Sequence, residues 1–211
     1  MTVKLIIFDF DGTLADTLDV TVSILNNLST EFGYKPASAA DVKKFRHLDS
    51  RKIITSYGIS MFKLPFLLKR FRAKLKPEIH NIKPIAGISD VLEMLVTKDK
   101  LLGIVTSNSE KNVREFLKTN QLIDLFSFVD SVNHLFGKYK VIQRILQREG
   151  FTRQEVIYIG DETRDIEAAK KIGLKVIAVA WGFNEHQVLA EHHPDFLISQ
   201  PDELLEIIES L

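Results

Sequence analysis

Two carboxylates two positions apart, Asp9 and Asp11, close an apolar run in Lys4-Leu5-Ile6-Ile7-Phe8-Asp9-Phe10-Asp11-Gly12-Thr13. Acids this close repel unless a cation lies between them or one holds a proton, so the pattern points to a Mg²⁺ site or to a split acid/base pair. Alternation along an extended chain turns both acids to one side and sends Phe10 the other way, into packing. Gly12 is free to take the positive φ of a sharp exit, and Thr13 sets a hydroxyl beside the acids. A solvated Asp/Gly turn after a strand is the plainer reading of the same residues.

Other chemically capable groups follow the same logic. Thr106-Ser107-Asn108 comes after the apolar run Leu101–Val105, and Asp161 and Asp165 come after Val156–Ile159. A spacing of four puts Asp161 and Asp165 on one face of a helix that begins there, although Asp161 or Thr106 would serve equally as a helix cap. Lys138 and Lys140 precede a helical stripe in Phe136-Gly137-Lys138-Tyr139-Lys140, and a lone lysine is ordinarily solvated. Brought together, these groups make a phosphoryl-transfer site. Asp9 attacks phosphorus as nucleophile, Mg²⁺ and Lys138 neutralise the phosphoryl oxygens, and Thr106 donates a hydrogen bond to one of them. Asp11 protonates the leaving alcohol and later activates water.

The elements that must position these groups are legible as periodicity. The apolar stripe Val20, Ile24, Leu25, Leu28, Phe32 ending at Gly33 predicts a helix, Ser38 and Asp41 resemble a capping box opening a second, and further helices are expected from Ser50 to Tyr57 and from Pro65 to Leu75. From Pro84 onward apolar strands alternate with helices, which predicts an α/β fold with a doubly wound parallel sheet, its ligand site beyond the carboxyl ends of the strands. The expected division is a catalytic core of residues 1–14 and 84–211 with a helical cap of residues 15–83 inserted after the first strand.

The four motifs in this order, Asp9-Phe10-Asp11-Gly12-Thr13-Leu14-Ala15-Asp16, Gly103-Ile104-Val105-Thr106-Ser107-Asn108, Gly137-Lys138-Tyr139-Lys140 and Gly160-Asp161-Glu162-Thr163-Arg164-Asp165, resemble the haloacid dehalogenase superfamily in its phosphatase branch, with phosphoglycolate-phosphatase-like enzymes nearest. The resemblance implies Asp9 as nucleophile and Asp11 as acid/base. It places Mg²⁺ on the Asp9 carboxylate, the Asp11 main-chain carbonyl and Asp161, with Asp165 bound directly or through water. Thr106 and Lys138 match the phosphate-binding positions, with Lys140 as the alternative lysine. Gly12, Thr13, Ser107 and Asn108 fall among the substrate-binding positions. The helical segment matches the family's C1 cap, a lid that closes over substrate. Arg46, with His47 and Arg51, would meet an anionic substrate tail if the charge run of that segment is not simply a solvated face.

Composition bounds the rest. Across 211 residues, 45% hydrophobic content supplies a core, and 28 basic against 28 acidic side chains argue against a nucleic-acid partner. The absence of cysteine excludes disulfide and thiolate chemistry and fits a cytoplasmic setting, and neither a signal peptide nor a membrane span is expected. The expected activity is Mg²⁺-dependent hydrolysis of a small phosphorylated metabolite. A phosphomutase of the same superfamily and a non-catalytic phosphate-binding module are the rivals.

Overall fold

A computed structural model describes residues 2–132 and 136–211, so Met1 of the expected core segment lies outside the described residues. Six strands, β1 (Leu5–Phe8), β2 (Leu101–Thr106), β3 (Phe128–Ser131), β4 (Val156–Gly160), β5 (Lys175–Val179) and β6 (Phe196–Ile198), form one sheet in the order β3-β2-β1-β4-β5-β6. Every pairing is parallel. Strand order reverses between β1 and β4, so the crevice at their carboxyl ends is where a ligand site is expected.

The two faces of β1 explain why it lacks polar residues. Ile6 and Phe8 pack into the core that contains Val91 and Leu95 of α5 (Ile88–Thr97), Val113 and Phe116 of α6 (Glu110–Thr119) and Leu204 of α10 (Glu203–Ser210). Leu5 and Ile7 face the opposite core, with Ile142 and Ile145 of α7 (Lys138–Glu149), Ile166 of α8 (Thr163–Lys171) and Leu189 of α9 (His186–Glu191). A strand covered on both sides has no solvent face to make polar, which is why it reads as a continuous apolar run. Phe10 continues the first core beyond the strand, edge-on to Phe116 with ring centroids 5.0 Å apart. That anchor is what turns Asp9 and Asp11 the other way.

Between β1 and α5 the chain is helical: α1 (Leu18–Phe32), α2 (Ala39–Phe45), α3 (Ser50–Ser56) and α4 (Leu64–Leu75). Gly33 ends α1 at φ 75°, its N–H returning to the Ser29 carbonyl, and the Ser38/Asp41 capping box opens α2. Pro65 occupies the first turn of α4, where a missing N–H costs nothing. This segment leaves and re-enters the sheet at one point. Ala15 bridges both Asp11 and Pro84, the Asp16 N–H donates to Lys83 at 3.0 Å, and the Ile85 N–H donates to Leu14 at 2.9 Å.

One local expectation is corrected, and one helix was not foreseen. The helix after β4 begins at Thr163 with Glu162 as its N-cap, so Asp161 sits in the preceding turn and shares no helical face with Asp165. The short helix α9 carries no long apolar stripe and is absent from the periodicity. Among the described residues, no helix is long and apolar enough to cross a membrane.

Candidate active site

The end of β1 delivers Asp9 into a buried pocket, 1% exposed. The Lys138 ammonium, itself 1% exposed at the start of α7, lies 2.5 Å from Asp9 Oδ2 and 2.5 Å from Asp165 Oδ1. Lys138 and not Lys140 is therefore the lysine at this pocket; Lys140 is exposed, beside the ring of Tyr139. Burial of two carboxylates around one ammonium is made tolerable by further donors to three of the four carboxylate oxygens. The Tyr158 hydroxyl donates to Asp165 Oδ1 at 3.3 Å, the Glu162 N–H donates to Asp165 Oδ2 at 3.1 Å, and the Phe10 N–H donates to Asp9 Oδ1 at 2.7 Å.

Asp11 stands at the pocket's outer edge. Asn108 turns its amide onto both Asp11 oxygens, at 3.2 and 3.1 Å, and is held there because its own carbonyl oxygen accepts from Ser109 N–H and Asn112. Thr106, at the end of β2, accepts from the Asn108 N–H at 2.9 Å. Ser107 accepts from Arg164 at its hydroxyl and from Arg72 of α4 at its carbonyl. Thus Thr106, Ser107 and Asn108, expected to meet substrate, all lie beside the acids, with the Asn108 amide engaged in orienting Asp11.

Asp161, expected among the metal ligands, is held by hydrogen bonds of its own. Its Oδ1 accepts from the Thr13 hydroxyl at 2.7 Å and its Oδ2 from the Phe183 N–H at 2.7 Å. A Cβ on Gly12, at φ +77°, would lie 2.3 Å from Asp161 Oδ2, and one on Gly182 would lie 2.2 Å from it, so two glycines clear the space this side chain fills. The carboxylates whose oxygens lie within 4.8 Å of one another are Asp9, Glu162 and Asp165. Asp161 is not among them, and Glu162 was not singled out from sequence. Its only sequence signal is its place between two acids in Asp161-Glu162-Thr163-Arg164-Asp165.

Burial sets the protonation chemistry. It raises Asp9 to about 7, the Lys138 charge opposing it, and raises Asp11 to about 6 against the Asn108 hydrogen bond. Asp161 is pushed well above the usual carboxylate range by burial and by Glu162. Burial opposes the Lys138 charge, but Asp165 and Asp9 outweigh it and the ammonium is held firmly. A carboxyl near neutrality beside a carboxylate locked to a lysine is a suitable arrangement for acid/base work next to a nucleophile.

The residues present fit a divalent cation. Asp9 Oδ2 is buried without a hydrogen bond of good geometry despite the nearby ammonium, and hard oxygen donors suit Mg²⁺. The carboxyls of Asp9, Asp11, Glu162 and Asp165 gather around the buried cations Lys138 and Arg164, an acidic excess that a dication offsets.

Asp11 supplies a stability prediction. Its folded value, raised from 3.8 to about 6, means the native state holds the proton more tightly, so its contribution is full below about pH 4 and is lost as pH rises through about 6. Above that, the ionised carboxylate costs on the order of 2 kcal/mol, part of its shift being offset by contact with solvent. Asp11→Asn is expected to melt higher than wild type at pH 8 in EDTA, with the gap closing by pH 4. A gap of the same size at both pH values would contradict the assignment.

The insertion is closed over this pocket. Arg72 of α4 donates to the Ser107 and Val132 carbonyls, Ser50 of α3 donates to Glu162 at 3.0 Å, and Asn184 donates to the Leu48 carbonyl at 2.9 Å. Arg46, expected at substrate, is ion-paired with Glu185 at 3.4 Å, and Arg51 with Glu167 at 3.2 Å.

Residues 6–179 match the family model described as haloacid dehalogenase-like hydrolase. A phosphoglycolate phosphatase of Synechococcus elongatus is 38% identical over 206 residues, covering 98% of this chain and 97% of its own length. The pyrophosphatase PpaX of Anoxybacillus flavithermus is 28% identical over 213 residues, covering 99% of this chain and 98% of its own. In fold, a solved structure described as a predicted phosphatase from Clostridium acetobutylicum covers both chains in full with a TM-score of 0.85 at 20% identity.

Proposed function

Because this chain belongs to the haloacid dehalogenase-like hydrolase family and is a phosphatase, we propose that it hydrolyses a small phosphomonoester through an aspartyl-phosphate on Asp9, with Mg²⁺ as cofactor. The observation that carries the reading is Asp9 itself, a carboxylate held at the end of β1 by the Lys138 ammonium and the Phe10 N–H. A nucleophile so placed needs no rearrangement of its own support when phosphorus arrives.

In the first step an Asp9 oxygen forms a bond to phosphorus as the ester oxygen leaves, and Asp11 gives that oxygen its proton. In the second, Asp11 takes a proton from water, whose oxygen attacks phosphorus; the Asp9 carboxylate and inorganic phosphate are released. Lys138 holds a positive charge against the transferring group throughout, and its two carboxylate partners fix its position. Asp9, Glu162 and Asp165, with the Asp11 carbonyl, would hold Mg²⁺, which when bound withdraws charge from the phosphoryl oxygens. Asp161, tied to Thr13 and Phe183, braces the turn between β5 and α9 against the β1 loop.

The test is hydrolysis of an aryl phosphate. Chelation by EDTA is expected to lower the rate by at least about 10²-fold, Mg²⁺ restoring it, because metal charge stabilisation supplies several kcal/mol. Phosphate release without any bisphosphate additive separates hydrolysis from phosphoryl return to substrate. An EDTA-insensitive rate would overturn the Mg²⁺ requirement.

A further inference from the structure

Between the helical insertion and the strand ends lies a cavity of about 240 Å³. Its walls are apolar: Val22 and Leu25 of α1, Phe45 of α2, Ile53 of α3, and Leu68 and Phe71 of α4. These side chains are each only partly buried, so the insertion leaves a continuous apolar surface turned inward. Asp11, Ser107, Glu162, Arg164 and Phe183 also line it, whereas Asp9, Thr106 and Lys138 do not.

That division of residues has a chemical meaning. Asp11 borders the cavity, and the nucleophile and the lysine do not. If Asp11 delivers its proton to the departing oxygen, that oxygen sits beside the cavity and the rest of the alcohol extends inside. The space holds at least about eight water-sized groups at ~30 Å³ each, far more than a two-carbon acid fills. The cations on its lining are already paired: Arg164 donates to Glu162 and Ser107, and Arg46 pairs with Glu185. A second anionic group on the substrate would meet apolar walls at a desolvation cost.

We propose that the alcohol portion of the substrate carries an uncharged apolar group of several carbons, which this cavity encloses while Asp11 faces the ester oxygen. The proposal rests on the phosphatase reading and narrows its substrate class. It departs from the glycolate of the similar phosphoglycolate phosphatase.

Binding of unreactive phosphonates tests it on the intact protein with Mg²⁺, by isothermal titration with methyl-, butyl- and hexylphosphonate and with phosphonoacetate, which carries a carboxylate instead. The expected result is about fourfold tighter binding for each methylene added until the cavity is full, and hexylphosphonate bound well over tenfold more tightly than phosphonoacetate. Val22→Phe, which fills part of the space, is expected to flatten the series. An affinity independent of chain length, or phosphonoacetate as the tightest ligand, overturns the proposal. Because binding is read without turnover, a chain-length gain in a protein that releases no phosphate would retire the phosphatase reading and leave the cavity assignment standing.

Discussion

Asp9→Asn is expected to lower kcat on an aryl phosphate by at least about 10⁴-fold, the scale on which a covalent catalyst fails when its nucleophile is removed. The amide is nearly isosteric, so the fold has no reason to change: Phe10 stays anchored on Phe116, and Lys138 keeps Asp165 as its partner. What disappears is the anionic oxygen aimed at phosphorus. Phosphonate affinity should therefore survive within about tenfold, the amide being a poorer partner for the ammonium. A turnover within tenfold of wild type would mean that another group attacks phosphorus.

The largest effect on stability is expected at Lys138. Removing it as Lys138→Met keeps most of the volume but leaves Asp9 and Asp165 side by side in a buried pocket with no ammonium between them. Breaking such a pair by deleting one partner costs about 3–5 kcal/mol, since the surviving charge is neither solvated nor paired. The loss has a pH signature. Asp9, raised to about 7 by burial even with the lysine present, takes up a proton as pH falls, so the deficit in urea or thermal unfolding should shrink from pH 8 to pH 5. Lys140→Met, on the exposed side of the same helix, should leave stability within about 0.5 kcal/mol. A large loss at position 140 with none at 138 would exchange the two lysines and undo the site.

The sheet was readable because its strands are covered on both faces, which forces uninterrupted apolar runs, and because Gly33, Ser38 and Pro65 mark helix ends by local chemistry alone. The acids were readable for the opposite reason: Asp9 and Asp161 end apolar runs where nothing in packing asks for a charge. What pattern did not reveal depends on partners far away in sequence. The hydrogen bonds of Asp161 come from Thr13 and Phe183, and clearance for it comes from Gly12 and Gly182, none of which leaves a periodic trace. Glu162 acquires its position only because α8 begins two residues later than the acid spacing suggested. Arg46 lines the cavity, as its place in the charge run suggested, but its partner Glu185 lies in the turn after β5, far away in sequence. The apolar cavity was hidden for a related reason, since inward stripes on α1 to α4 look the same whether they meet one another or enclose a space.

The central claim, that Asp9 carries the phosphoryl group, is tested most directly by trapping it. Protein quenched during steady-state turnover with Mg²⁺ and then reduced with borohydride should contain homoserine at position 9 on peptide mass analysis, only when substrate was present. Intact aspartate at position 9 in a protein that is turning over, or a trapped adduct at another residue, would contradict the account.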